Sequence, residues 1–452
     1  MSEPKTPQDA ATKSKATSAT TIAVDDTTAL PASGLIGSGM EGGLVDQVRA
    51  YISRVRGGDM GVLPAVGGLV VLSVLFAALS QYFLTERNIA NLLTQAAPSI
   101  VLAMGLVFVI LLGEIDLSAG TTSGVAMAVF VVLSDPGGPN LNWILALGIA
   151  LATGVVIGLF IGFFVARVGI PSFVVTLGLF LGFQGLQLLI IGAGGLYRIR
   201  QDEVLNIENG NMPAWLGWVM LVVILGISLL MAFIDRRRRS RADVPNRTIA
   251  LVWIKMAVIL VLGGVSIFLL NQNRGQVNYL NGKIVSGNVI EGVPIVVPFV
   301  LAILFIGTFV LDRTKYGRYL YAIGGNTEAA RRAGIKVIGI KWAAFAICST
   351  LAVVSGLFSA SKVGSVDASF GSNTVLTGVA AAVVGGVSLF GGRGRLVHAA
   401  VGALVISVIT NGLGLLNLGG GINLIVTGAV LILAATVDAV SRVRAGGSLI
   451  RT

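Results

Sequence analysis

The sequence predicts an all-α, polytopic bundle of transmembrane helices, about twelve spans (ten to twelve), with the N-terminus and C-terminus both cytoplasmic. Three observations lead there: an apolar composition, a series of segments long enough to cross a bilayer, and a basic bias confined to alternate connections. Of 452 residues, 55% are hydrophobic and only 12% are charged, about half the charge that a water-solvated surface carries. One cysteine, Cys348, and one histidine, His398, exclude a disulfide framework and a Cys/His metal centre. Basic residues outnumber acidic ones by 32 to 21. They fall in short runs between apolar stretches and are not spread over one face, so the excess describes membrane topology and not nucleic-acid binding.

A spanning helix needs about 20 mostly apolar residues, because the hydrocarbon core is roughly 30 Å thick and each residue rises about 1.5 Å. Segments that approach this lie near 62–84, 89–112, 118–134, 142–166, 171–192, 214–235, 249–270, 294–311, 342–361, 374–390, 396–416 and 422–440, the third and tenth being short. Lipid offers backbone groups no partner, and the segments lack the alternation of barrel strands, so each is expected to be helical. With the N-terminus inside, the cytoplasmic connections hold 22 Lys and Arg, including six arginines in 236–248 and seven basic residues in 312–341, against 6 on the other side. That asymmetry orients the chain.

Before the first span, residues 1–60 read as a disordered cytoplasmic tail and juxtamembrane segment; about the first 44 carry no sustained apolar run that could offset their ordering entropy. The transmembrane domain is placed at 61–441 and a cytoplasmic C-terminal tail at 442–452. Gly148, Gly154, Gly158 and Gly162 are spaced for close helix approach within the fourth span. The run "RRRRSRADVPNR" at 236–247 anchors topology and is able to attract anionic headgroups. External segments 193–213 and 271–293 are polar and long enough to receive a soluble partner.

The longest cytoplasmic loop, 312–341, reads "DRTKYGRYLYAIGGNTEAARRAGIKVIGIK" across its length. Asn326 or Thr327 suits a helix N-cap, Glu328 the positive first turn, and Gly334 a left-handed close. Roughly two helical turns result, too few to stand alone, so they must pack on something. The run Glu328-Ala329-Ala330 followed by Gly334 resembles the EAA...G coupling loop of permease subunits of ABC importers. Four further segments, "GEIDLSAG" at 113–120, "GIPSFVVTLGLFLGFQGL" at 169–186, "YGRYLYAIGGNTEAARRAGI" at 316–335 and "GGVSLFGGRGR" at 385–395, are similar to the ribose/xylose/galactose permease family. The extra hydrophobic pair in 214–270 resembles the longer xylose-type members and favours a pentose such as xylose.

The resemblance implies a plasma (inner) membrane permease working as a homodimer. It also implies a cytoplasmic ATPase subunit docked at Asn326, Thr327, Glu328, Ala329, Ala330, Arg331, Arg332 and Gly334, and an extracytoplasmic sugar-binding protein on the other side. A face of Ala329 and Ala330 would fit a cleft on the ATPase. No GxxxxGK[ST] phosphate loop is present, the nearest approach being Gly282-Lys283 before Ile284; the chain is expected to bind no cofactor, with ATP and Mg on the partner. One departure is plain: where the family carries an "ELDAIAA"-like acidic run, this chain reads Val375-Leu376-Thr377-Gly378-Val379-Ala380-Ala381.

A neutral sugar calls for amides, hydroxyls and an aromatic face. Candidates for the path are Asn91, Gln95, Phe173, Phe180, Gln184, Gln187 and Asn411, with buried helix-bridging amides as the alternative explanation. Glu114 and Asp116 join them because a carboxylate at bilayer depth is costly. They read either as residues of a cytoplasmic turn capping the next helix or as part of a broken span lining the path. The turn Gly113–Gly120 also parallels Gly385–Gly392, which suggests an internal repeat. A twelve-helix secondary sugar transporter, with a faint Asp312-Arg313...Gly317-Arg318 match to its loop motif, and a nontransporting membrane scaffold are the alternative classes. An intramembrane enzyme lacks the inventory, with one His, one Cys and no HExxH.

Overall fold

The computed structural model describes residues 61–241, 249–275, 277–280, 283–287 and 289–444. The N-terminal tail, the end of the chain from 445 and the centre of the arginine-rich run, 242–248, fall outside the described residues.

Each expected segment holds a helix. In order these are α1 (Leu63–Leu79), α2 (Glu86–Ile110), α3 (Ala119–Ser134), α4 (Trp143–Gly162, prolonged by a π-turn over Phe163–Val168) and α5 (Ser172–Ile191). Strand β1 (Leu196–Arg198) and the short helix α6 (Asp202–Asn209) lead to α7 (Ala214–Arg241) and α8 (Ile249–Leu270). The hairpin β2 (Val277–Leu280) and β3 (Lys283–Gly287) precedes α9 (Val296–Arg313), α10 (Lys315–Gly325), α11 (Thr327–Arg332) and α12 (Val337–Val363). Strand β4 (Ser365–Asp367), α13 (Thr374–Val384), α14 (Leu396–Leu415) and α15 (Gly420–Arg444) complete the chain. Among the described residues, eight helices are long and apolar enough to cross a membrane, and α1, α3, α13 and α15 supply four shorter apolar stretches.

The centre of the bundle is α2, α3, α12, α13 and α14. α2 and α14 are mostly buried, whereas α7 and α8 expose most of their apolar side chains, which is the arrangement of a lipid-facing pair. That pair rests on the core through Leu221, Ile267 and Leu270 against Ile89 and Leu93. Three of the four spaced glycines on α4 do what small residues do in lipid. A Cβ on Gly154, Gly158 or Gly162 would lie 2.5 Å from Val353, 2.5 Å from the Phe345 carbonyl and 3.0 Å from Trp342, all on α12. Gly148 meets nothing and takes no part in this contact.

Contacts between connections sort into two ends. At one, Arg313 pairs with Asp235 and Lys341 with Glu114. At the other, β1 pairs antiparallel with β4, Asn211 bridges to Pro294, and Lys362 donates to Thr94. The first will be called the basic end and the second the outer end.

Candidate functional site

The basic end is built around α10 and α11. Thr314 caps α10 by accepting the Gly317 N–H at 3.3 Å, and Leu320 and Ile323 turn inward, both essentially inaccessible. Tyr321 donates its hydroxyl to the Gly394 carbonyl at 2.7 Å. Burial, with help from the Asp312 charge, pushes that hydroxyl up to about 12, so it stays a donor at neutral pH. Asn326 is the N-cap of α11: its side chain accepts the Ala329 N–H at 2.9 Å. Thr327 instead donates to the Ile323 carbonyl, tying α11 back to α10. Gly334 is left-handed, φ +82°. Its N–H reaches the Arg331 carbonyl at 3.0 Å, and the Ile335 N–H reaches Ala330 at 3.1 Å, closing α11 as a Schellman motif does. Glu328 pairs with Arg331 and Arg332 at 3.4 and 3.2 Å. All three are exposed, so the pairs add little stability and leave their charges on display. The expected Ala329/Ala330 face is divided, because Ala330 is buried against the bundle and Ala329 is turned out.

What α10 packs on is a junction of two returns. α2 ends at left-handed Gly113, φ +77°, with Gly113 N–H to Ile110 and Glu114 N–H to Val109. α13 ends at left-handed Gly386, φ +96°, with Gly386 N–H to Val383 and Val387 N–H to Ala382. The two caps share one hydrogen-bond pattern, so the similarity of the turns has a structural basis. Its register is Gly113 with Gly386, one residue later than the Gly113–Gly385 match of the sequence, because the cap sets the alignment and the flanking glycines do not. The returns also touch: the Gly392 N–H donates to the Leu111 carbonyl at 2.9 Å. Gly324 of α10 lies on that bond, and a Cβ there would stand 1.8 Å from the Leu111 oxygen and 2.6 Å from the Gly392 nitrogen.

Beyond the first return the chain does not re-enter helix at once. At 16 residues α3 is about 24 Å long, and at 11 residues α13 is about 16 Å, both short of a roughly 30 Å core. The missing length of α3 is taken up by nonhelical 114–118, a broken span. Irregular backbone at such depth must be satisfied by protein. Here the Ile115 N–H goes to Ser172 Oγ at 3.1 Å, and Thr176 Oγ1 donates to the Ile115 carbonyl at 3.2 Å. Asp116 is fully buried, and its Oδ1 accepts from the N–H and hydroxyl of Ser118 at 2.9 and 2.7 Å. Asp116 thus stands in a turn that leads into the next helix, one of its two expected settings, and it is fully buried there. Glu114 stays at the basic end, mostly buried and paired with Lys341. The first turn of α3 abuts the turn that leads into α13 glycine to glycine, a Cβ on Gly120 falling 2.4 Å from the Gly371 carbonyl and one on Gly371 falling 2.2 Å from that of Gly120. The positive end of α3 thus lies at the Asp116 carboxylate. Among the described residues, no group of His, Cys, Asp and Glu is arranged to hold a metal.

A model of the branched-chain amino acid transport system/permease component family matches residues 88–435. The chain belongs to that family. It is 34% identical over 371 residues to the "Xylose transport system permease protein XylH" of Escherichia coli (strain K12), covering 80% of this chain and 87% of that protein. The XylH of Haemophilus influenzae (strain ATCC 51907 / DSM 11121 / KW20 / Rd) is also 34% identical, over 82% of this chain and 93% of its own length. The "Ribose import permease protein RbsC" of Escherichia coli (strain K12) is 28% identical over 82% and 91%. No solved structure matches. The resemblance drawn from the coupling loop and its companion segments is borne out: this is a multi-pass membrane permease of a transport system and not an enzyme.

Within this permease the residues singled out for a sugar path do not converge. Asn411 exchanges two hydrogen bonds with Asn88, at 2.9 and 3.0 Å, and donates to Gln95 at 3.4 Å, so these amides bridge α2 to α14. Gln187 is buried and donates to the Thr121 carbonyl at 3.2 Å. Gln184 is half-buried, Phe180 packs on the core, and Phe173 is exposed on the bundle surface. Asn91, at the outer end, faces Lys362. Asn88, Lys341, Gly324 and Gly392 went unnoticed in the sequence. The Gly-Gly pairs at 324–325 and 391–392 were the available signal, since paired glycines mark places where backbones can approach.

Proposed function

We propose that the chain is the membrane-spanning subunit of an ATP-driven importer of a monosaccharide, with a pentose such as xylose favoured. Two copies form the path, and both termini face the cytoplasm. A cytoplasmic ATPase subunit, which carries ATP and Mg, docks on α10–α11, and an extracytoplasmic sugar-binding protein delivers substrate at the outer end. The single observation that carries the reading is the seating of α10 through Gly324 on the bond between Leu111 and Gly392. A push on α11 would reach both returns through that one contact, and they head the broken span and α14, so a rigid-body motion at the surface becomes a rearrangement at bilayer depth. The sugar class comes from the xylose and ribose permeases that the chain resembles.

The test is uptake in vesicles holding the permease with its ATPase and binding protein. Replacing Glu328 by Ala, or Gly334 by Val, should lower ATP-driven xylose uptake while leaving membrane insertion unchanged. Unaltered uptake in both variants would remove α11 from the docking surface. Full uptake by the permease without any ATPase would point to a secondary transporter.

A further inference from the structure

At the outer end the N-terminal part of α2, the C-terminal end of α6 and the last turn of α12 line an open cavity of roughly 450 Å³. The connection between α8 and α9 supplies its remaining wall through Arg274, Ile290 and Pro294. The volume is that of a small-molecule site.

Two of its side chains are buried with hydrogen-bonding capacity unused. Glu208 is 2% exposed and neither carboxylate oxygen has a hydrogen-bond partner. Its backbone is fixed instead, its N–H going to Ser361 Oγ at 3.1 Å. Arg274 is 7% exposed. Its Nη2 donates to Asn211 Oδ1 at 2.9 Å and to the Gly292 carbonyl at 2.8 Å, while Nη1 has no partner. Lys362, held by Thr94 and Asn91, lines the same space. Buried orphan groups of this kind are expensive unless something completes them.

We propose that this cavity is a binding subsite for a neutral polyhydroxyl ligand, a monosaccharide, which meets the permease here at the outer end. A cation would face Arg274, Lys362 and Arg87, and an anion brings no donor to the unpartnered oxygens of Glu208. A hydroxyl both donates and accepts, so adjacent hydroxyls of one sugar satisfy an orphan acceptor and an orphan donor together. Ala90, Ile290 and Pro294 give an apolar patch for the C–H face of the ring. Burial, opposed by the charge of Lys362, pushes the Glu208 carboxyl up to about 8. Near neutral pH it is largely the protonated acid, able to donate as well as accept. Because Arg274, Ile290 and Pro294 belong to the connection that follows the peripheral α7–α8 pair, that pair gains a role as support for one wall of the subsite.

This subsite rests on the sugar-permease reading, and the experiment separates the two. The full chain in lipid nanodiscs, without partners, is titrated with D-xylose by saturation-transfer NMR, with acetate and tetramethylammonium as charged probes. D-xylose should bind and the ions should not. Glu208→Leu should weaken D-xylose at least tenfold, whereas Glu208→Gln, which keeps a donor and an acceptor, should stay within threefold; thermal melts report whether each variant is folded. No D-xylose binding by the wild type, equal binding by Glu208→Leu, or preference for either ion overturns the subsite. If the complete transporter still takes up D-xylose in that case, the subsite falls and the transport reading stands. If the complete transporter moves no monosaccharide, both fall.

Discussion

Adding one methyl group at position 324 tests whether α10 works through the junction beneath it. In Gly324→Ala the new Cβ would start 1.8 Å from the Leu111 oxygen, where real contacts do not come within 3.0 Å. The backbones must therefore part by at least about 1.2 Å, and the neighbours are backbone atoms with no rotamer to yield. Overpacking of this sort costs about 1–3 kcal/mol. Loss of the 2.9 Å bond from Gly392 to Leu111 adds about 1 kcal/mol. Gly325 is an internal control, since a Cβ there meets nothing within 4 Å, and alanine should be neutral or stabilise by up to about 1 kcal/mol. If the clash disfavours the seated arrangement by about 1.4 kcal/mol, that state loses about tenfold in population. The assay is ATP-driven uptake in vesicles, normalised to inserted protein and to ATPase subunit retained, beside thermal melts of both variants. Gly324→Ala should lose uptake and melt earlier, and Gly325→Ala should do neither. Indistinguishable behaviour would refute the argument that the junction transmits the stroke.

Lys341→Met strands the largely buried Glu114 and should destabilise the permease by about 3 kcal/mol, while adding Glu114→Gln should recover most of it, because removing one partner of a buried pair costs more than removing both; melts of the single and double variants measure this. Asn411→Ala should cost about 1 kcal/mol, and Asn88→Ala on top should add much less than its own single effect, since the two amides serve each other; additive losses would show them independent. Stability should fall as pH rises through the Glu208 titration. The carboxyl goes from an ordinary 4.5 to about 8 in the folded chain, so between those values the folded state keeps a proton that the unfolded chain has lost. The contribution is intact below about 4.5 and gone above about 8. Its ceiling is about 5 kcal/mol at ~1.36 kcal/mol per pH unit, reduced by water that reaches the cavity. Glu208→Gln should flatten that slope in melts at pH 5.5 and 8.5, and an unchanged slope would place the titration elsewhere.

Much of the architecture could be read from the chain because lipid enforces a simple rule on segment length and polarity. Twelve apolar stretches became twelve helices, and even the two short ones, α3 and α13, were marked by their length. The helix at Thr327–Arg332 was legible for a local reason: Asn326, Glu328 and Gly334 act through neighbours within a few residues. The glycines of α4 were legible as packing residues for the same economy of cause. Depth was not. One carboxylate oxygen of Asp116 is held within its own turn, but the backbone beside it depends on Ser172 and Thr176, which lie 57 and 61 positions away, and no period in the sequence announces that meeting. The amides of the expected path illustrate the same limit, since type and spacing cannot tell a helix-bridging Asn411 from an Asn91 that meets Lys362 at the outer end. Glu208 was invisible because it sits in a polar external stretch where a buried carboxylate looks like any solvated one.

The meeting of Gly120 with Gly371 sets main chain against main chain, edged only by the hydroxyls of Ser123 and Thr374. Knobs locked into holes must repack to move, whereas a seam edged by such short side chains has few torsions to reset. Any side chain larger than hydrogen on either glycine would force the two backbones apart, as at Gly324, so the joint between α3 and the turn before α13 admits glycine alone.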